Sequence, residues 1–235
     1  MNLVILFEND FIENGKARIE GRRAKHIISV HRAEKGKELR VGILNGQIGT
    51  GIVSSISDKS IEMDVKLFKN SPETLPITLI LALPRPKSFR KALQAATSMG
   101  VKKIIVIESW KVDKSYWKSP ALEKENIFED MLLGLEQGVD TVMPEITFKR
   151  RFKPFVEDEL EELSKDSLRL IAEPSSEQPC PFNVNKKTTL VIGPEGGFTP
   201  YEVGAFIESG FFSVNIGQRI IRVEYAIPAL LGRLF

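Results

Sequence analysis

A single cysteine, Cys180, stands among 235 residues, so no disulfide can form within the chain. Only two histidines, His26 and His31, accompany it, too few for a His/Cys zinc site. Any excess of charge is small: 33 Lys and Arg against 31 Asp and Glu leave +2. Contact with a nucleic acid would have to come from local patches, not from the field of the whole molecule. Long apolar runs are missing, and residues 3–7 are too short for a signal sequence or a membrane span. A cytoplasmic location, with no membrane partner and no metal, is the expectation. The sequence holds no G-x-x-x-x-G-K-[ST] loop, complete G-x-G-x-x-G, G-x-S-x-G elbow or H-E-x-x-H. Nucleophilic catalysis through Ser/His or Cys/His has little support, and no internal repeat is present. What remains is an ordinary soluble composition, 42% hydrophobic and 27% charged.

The informative residues gather between 188 and 226. Two apolar runs, 190–192 and 211–216, each end on a glycine that opens a polar turn. The first turn is Gly193-Pro194-Glu195-Gly196-Gly197. The second is Gly217-Gln218-Arg219, followed by Ile220-Ile221-Arg222-Val223-Glu224. Short β-rich runs ending in glycine-rich turns place ligand loops at the carboxyl ends of strands in open α/β sheets. Two such loops side by side are expected to form the functional site. Gly193, Gly196 and Gly197 would allow positive φ and close approach of a ligand, while Pro194 fixes one φ among them. Thr199 should cap a helix, with Pro200 in its first position and Glu202 completing a capping box. That helix should end near Ser209-Gly210. The glycines alone fit equally a tight strand-to-helix turn that holds no ligand.

In chain order, residues 3–7, 38–44, 48–56 and 61–68 read as strands, with Asn45-Gly46 as a hairpin turn. Residues 22–32 are more helical. A small β barrel follows from that spacing. Between Lys16 and Arg40 stand nine Lys or Arg and three Glu, a solvated face or an RNA contact. Residues 70–76 break the pattern with two prolines, which places a boundary near Pro72 and gives domains 1–71 and 72–235. From Ile77 strands at 77–83, 103–107 and 168–171, then the two runs above, alternate with helices at 86–99, 121–137, 155–164 and 222–235. Such alternation predicts an α/β domain with a mostly parallel sheet and helices on both sides. A second basic region, 84–118, sets nine Lys or Arg against Glu108 and Asp113 and interleaves Trp110, Tyr116 and Trp117. It reads as a surface for phosphates and unpaired bases, or as a loop whose aromatics pack back.

The two glycine turns together resemble the signature of the RsmE family, bacterial methyltransferases that act on N3 of a uridine in small-subunit ribosomal RNA. The family pattern Leu-Gly-x-Arg-Ile-Leu-Arg-x-Glu-Thr-Ala is matched by residues 216–226, from Ile216-Gly217 to Tyr225-Ala226. His26, Val30-His31-Arg32 and Lys35-Gly36 are similar to the family's His-x-x-x-Val-Leu-Arg-x-x-x-Gly. The resemblance implies a SPOUT-type trefoil-knotted domain preceded by a PUA-like RNA-binding barrel. Knots are nearly absent among proteins, so that feature comes from the resemblance alone. It further implies S-adenosyl-L-methionine as cofactor, 16S ribosomal RNA or the small subunit as partner, and a homodimer. The cofactor would lie among three loops: Ala172, Glu173 and Pro174; Ile192, Gly193, Pro194, Glu195, Gly196 and Gly197; Ile216, Gly217, Ile220, Ile221 and Arg222. Arg222 would stabilise negative charge on the uracil, and Glu224 or Glu195 would orient it or take the N3 proton. Arg22, Arg23, Lys25, His26 and Arg32 would contact RNA. The chain departs from the family at Ala95, Ser98, Asp140, Val223 and Tyr225, and Pro228 should kink the last helix or shift its start. Two alternatives stand beside this assignment: a SPOUT enzyme with another RNA target, or an inactive RNA-binding homologue.

Overall fold

The computed structural model describes residues 2–29, 33–184 and 186–235. They divide into two compact units, Met1–Glu73 with Leu132–Met143, and Thr74–Met131 with Pro144–Phe235.

The first unit holds strands β1 (Val4–Leu6), β2 (Phe11–Glu13), β3 (Lys16–Glu20), β4 (Glu38–Ile43), β5 (Ile48–Ile56) and β6 (Ser60–Lys69). They form one sheet in the order β1-β4-β5-β6-β3-β2. Only the β1–β4 pair is parallel. Helix α1 (Gly21–Ser29) follows β3. The β4–β5 hairpin turns at Asn45, with φ +58°, as Asn-Gly should. A second hairpin, β2–β3, turns at Gly15, φ +74°, where the sequence reading placed no strands. Alternate residues of β1 face opposite ways. Val4 and Leu6 join a cluster with Ile19, Val41, Ile61 and Met63. Leu3 and Ile5 join another with Ile48, Leu132 and Leu135. The segment 132–143 is therefore part of this unit's core, outside the expected 1–71 span. The Glu136 carbonyl accepts from Asn2 and Leu3 N–H, both at 3.0 Å.

The second unit holds β7 (Ile77–Ala82), β8 (Lys103–Ile107), β9 (Glu145–Lys149), β10 (Leu168–Ala172), β11 (Thr188–Ile192) and β12 (Phe212–Val214). All pair in parallel, in the order β12-β10-β11-β7-β8-β9. β7 and β11 are buried throughout, as the continuous apolar runs of central parallel strands require. β9 was not foreseen. Helices α2 (Pro86–Ser98), α3 (Lys124–Gly138), α4 (Pro200–Glu208) and α5 (Val223–Leu234) complete the unit, with α3 running on into the residues of the first. Helical residues 152–163 replace the expected helix at 155–164 and contain a π turn, Phe155–Glu159. Helix α5 runs through Pro228. The core joins Ile80, Ile105, Phe155, Ile171, Val191, Phe198 and Phe206.

Candidate active site

β12, β10 and β11 are sheet neighbours, and Ala172 pairs with both Ile192 and Val214. Their carboxyl ends stop level, so the turns that follow must converge. They enclose a hollow of about 710 Å³, open mouth included.

The first turn is held from four sides. Phe198 is buried in the core, its ring 5.4 Å from that of Phe206. Lys111 Nζ donates to the carbonyls of Gly196 (2.8 Å) and Phe198 (3.2 Å). Gly197 N–H donates to Pro194 O at 2.8 Å. The Glu195 carboxylate accepts from Arg85 N–H at 3.0 and 3.3 Å, the residue that precedes α2. The capping box is present: Thr199 Oγ1 accepts from Glu202 N–H, and Glu202 Oε2 accepts from Thr199 N–H at 2.8 Å. Glu202 Oε1 also accepts from Trp110 N–H at 2.7 Å.

Of the three glycines expected to use positive φ, only Gly197 does, at +68°. Gly193 and Gly196 are needed for room. A Cβ at Gly193 would sit 3.2 Å from the Phe198 ring, and one at Gly196 3.2 Å from the Lys111 stem. Gly217, φ +123°, opens the turn that follows β12, and its N–H donates to Asn215 Oδ1 at 2.9 Å. Residues 216–222 lie outside helix, strand and hydrogen-bonded turn. The segment after β10 is laced to the one after β12. Asn215 N–H donates to Gln178 O, Cys180 N–H to Asn215 O, and Asn215 Nδ2 to Ser176 O.

Ala172, Glu173, Pro174, Ile192, Gly193, Pro194, Glu195, Gly197, Ile216, Gly217, Ile220 and Ile221 line the cavity, as expected of them. Gly196 and Arg222 do not. Phe198, Val214, Arg219, Val223 and Leu230 line it without having been foreseen. Arg219 and Val223 belong to the 216–226 pattern, whereas Val214 and Leu230 carry no motif; only their place behind the turns brings them in. The walls combine the apolar side chains of Ile192, Val214, Ile216 and Leu230 with turn backbone, the mixture an adenosine needs. Glu173 and Arg219 supply opposite charges for an amino-acid end. The residues present thus fit S-adenosylmethionine.

Arg222 is exposed and is the N-cap of α5. Among the described residues it enters no ion pair, with Glu224 or with any other carboxylate. Glu224 is 5% exposed, and its Oε2 has no hydrogen-bond partner. Glu195 is committed to Arg85.

The residues expected to touch RNA separate. Arg23 is turned inward, donating to Asp10 and to Ile5 O with its guanidinium 4.6 Å from the Phe7 ring. Arg22 pairs with buried Glu136 at 3.1 Å. Lys25 is exposed and His26 half-buried on α1. Arg32 and His31 lie outside the described residues. Asp140 accepts from Ser71 Oγ and Val142 N–H, a structural use of that departure.

Known proteins resemble this chain in sequence and in shape. Residues 71–234 match the model of the RNA methyltransferase domain family. Ribosomal RNA small subunit methyltransferase E of Mesomycoplasma hyopneumoniae is 31% identical over 179 residues, 73% of this chain and 74% of that protein. The protein of that name from Treponema pallidum is 26% identical, over 96% of this chain and 88% of its own length. A crystal structure of the protein of that name from Neisseria gonorrhoeae, bound to S-adenosyl methionine, superposes with a TM-score of 0.72 at 19% identity. The match covers 97% of this chain and 95% of that one. The chain belongs to the ribosomal RNA small subunit methyltransferase E family, within the RNA methyltransferase domain family.

Proposed function

We propose that the protein methylates N3 of a uridine in 16S ribosomal RNA, with S-adenosylmethionine as methyl donor. The observation that carries this is the cavity bounded by three turns at the ends of β10, β11 and β12, in a chain of this family. When bound, S-adenosylmethionine supplies a methyl group on a sulfonium sulfur, so the electrophile arrives with the cofactor.

The chain's own residues have the rest to do. Uridine N3 carries a proton at neutral pH and must lose it around the transfer. Arg222 is the proposed donor to the uracil carbonyl oxygens, where negative charge develops. Its guanidinium is exposed and unpaired among the described residues, so no ion pair must break first. Glu224 keeps an oxygen without a partner and is the proposed proton acceptor. Glu195 shapes the loop by holding Arg85 N–H. N3 lies on the base-pairing edge, so the target must be unpaired when it reacts.

The finer features of the family accompany this function. A trefoil knot follows from the family resemblance alone. A PUA-like barrel is supported by the six-stranded sheet of the first unit, whose β1, β3, β4, β5 and β6 share one core. A homodimer, acting in the cytoplasm, belongs to the same proposal. The apolar tail does not argue for the dimer, because Ile227, Leu230, Leu231 and Leu234 are buried within the chain. No described helix is long and apolar enough to cross a membrane.

The test joins calorimetric titration with S-adenosylmethionine to mapping of methylated nucleotides in ribosomal RNA from a deletion strain. One uridine is expected to lose its N3 methyl group and regain it on complementation. An unchanged uridine pattern would end the proposal, and loss of a ribose methyl instead would reassign the target.

A further inference from the structure

β8 and β9 are also neighbours, and their carboxyl ends open on a second cleft in the same unit, about 1190 Å³ with its mouth. Residues 108–114 follow β8, residues 150–153 follow β9, and Thr199 and Tyr201 begin α4. The loop 193–199 borders both hollows. Gly197 and Phe198 line the first, Thr199 the second.

The composition of this cleft is uncommon. Trp110 is 85% exposed and Tyr201 64%, large aromatic faces left mostly open among the described residues. Lys114, Arg150, Arg151 and Lys153 stand around them. Arg151 enters no ion pair among the described residues, and Lys153 has only a surface contact with Glu157 at 3.6 Å, which is weak. Two carboxylates share the lining. Both oxygens of Glu202 are occupied by Trp110 N–H and Thr199, and Glu108 is half-buried. Ser109 completes the lining, 3% exposed and with its hydroxyl unpartnered. By contrast Trp117 packs back, edge-on to Phe148 at 6.3 Å with Arg150 5.2 Å over its ring.

Exposed aromatic faces among cations are the elements that hold single-stranded nucleic acid, stacking bases and neutralising phosphates. A duplex offers no free base face to them. Given the RNA methylation proposed above, we propose that this cleft takes an unpaired nucleotide of the same RNA strand, flanking the target uridine. Its base stacks on Trp110 and Tyr201. Its phosphates lie against Arg150, Arg151 and Lys153. A strand crossing the 193–199 loop would pass from this cleft to the mouth of the cofactor hollow.

The test uses Trp110 as its own reporter. The chain has two tryptophans, so Trp117→Phe leaves only the one in the cleft. A short oligouridylate, an RNA duplex and anionic lipid vesicles are each added while fluorescence is followed. The oligouridylate should quench, and the duplex and vesicles should not. Trp110→Ala, which loses the reporter and is read by calorimetry with the oligouridylate, should weaken binding by about tenfold or more. Arg151→Ala should lower the salt slope of binding by about one. Binding of the oligouridylate without quenching, quenching by vesicles in its place, or unchanged affinity in both variants would overturn the proposal. Calorimetry with S-adenosylmethionine on the same samples reads the methyltransferase function separately. Loss there with quenching intact would strike the enzyme assignment and leave the nucleotide cleft standing.

Discussion

Arg222 stands exposed at the head of α5, with no carboxylate of the described chain to hold it. Arg222→Ala should therefore remove methylation while leaving S-adenosylmethionine affinity nearly intact, read by product formation and by calorimetry on one preparation. Unchanged turnover would take Arg222 out of the chemistry. Cys180 behaves in the opposite way. It is buried, and burial pushes its thiol above the usual range, with nearby Arg233 opposing. Only the thiolate reacts. Alkylation of the native protein at neutral pH should be slow and should accelerate only on unfolding. Fast modification of folded protein would contradict this. At this scale the sequence was legible where a residue has one job. Thr199 and Pro200 take the places their types dictate. It was less legible where one side chain serves several neighbours. Nothing in the order of residues says that Glu202 also accepts from Trp110, or that Glu195 binds Arg85.

The turn between β11 and α4 is the element on which both hollows depend. Glu202→Ala removes the capping box and the partner of Trp110 N–H together. A loss of about 2 kcal/mol in urea unfolding is expected, with S-adenosylmethionine binding weakened as the loop loosens. A variant as stable as the parent would show that Lys111 and Phe198 suffice. Strongly patterned elements could be read with near-correct ends, as β8 and α2 show. The β2–β3 hairpin escaped although Asn14-Gly15 marks it, because its strands are short and half exposed. β9 escaped for a similar reason: only half-buried positions back its alternation. Gly193 and Gly196 were assigned the wrong physical need. Crowding by Phe198 and Lys111 comes from tertiary contact, which local sequence does not carry.

The division into two units could be expected from the prolines at 70–76, but the return of 132–143 to the first unit could not. Periodicity marks α3 as one helix and is silent about which core each turn serves. A fragment ending at residue 71 lacks Leu132 and Leu135, which close over Leu3 and Ile5. Such a fragment should bind a hydrophobic dye and unfold without a cooperative transition. Joining residues 132–143 to it through a flexible linker should restore one, and a sharp melt of the bare fragment would refute this. The cavity at the ends of β10, β11 and β12 has a consequence in time as well. Its walls begin at Ala172 and are not complete until Leu230. During synthesis, the growing polypeptide can offer a small molecule no grip until most of its final helix has emerged. Whatever binds there cannot guide the early steps of folding; it can only lock the finished form.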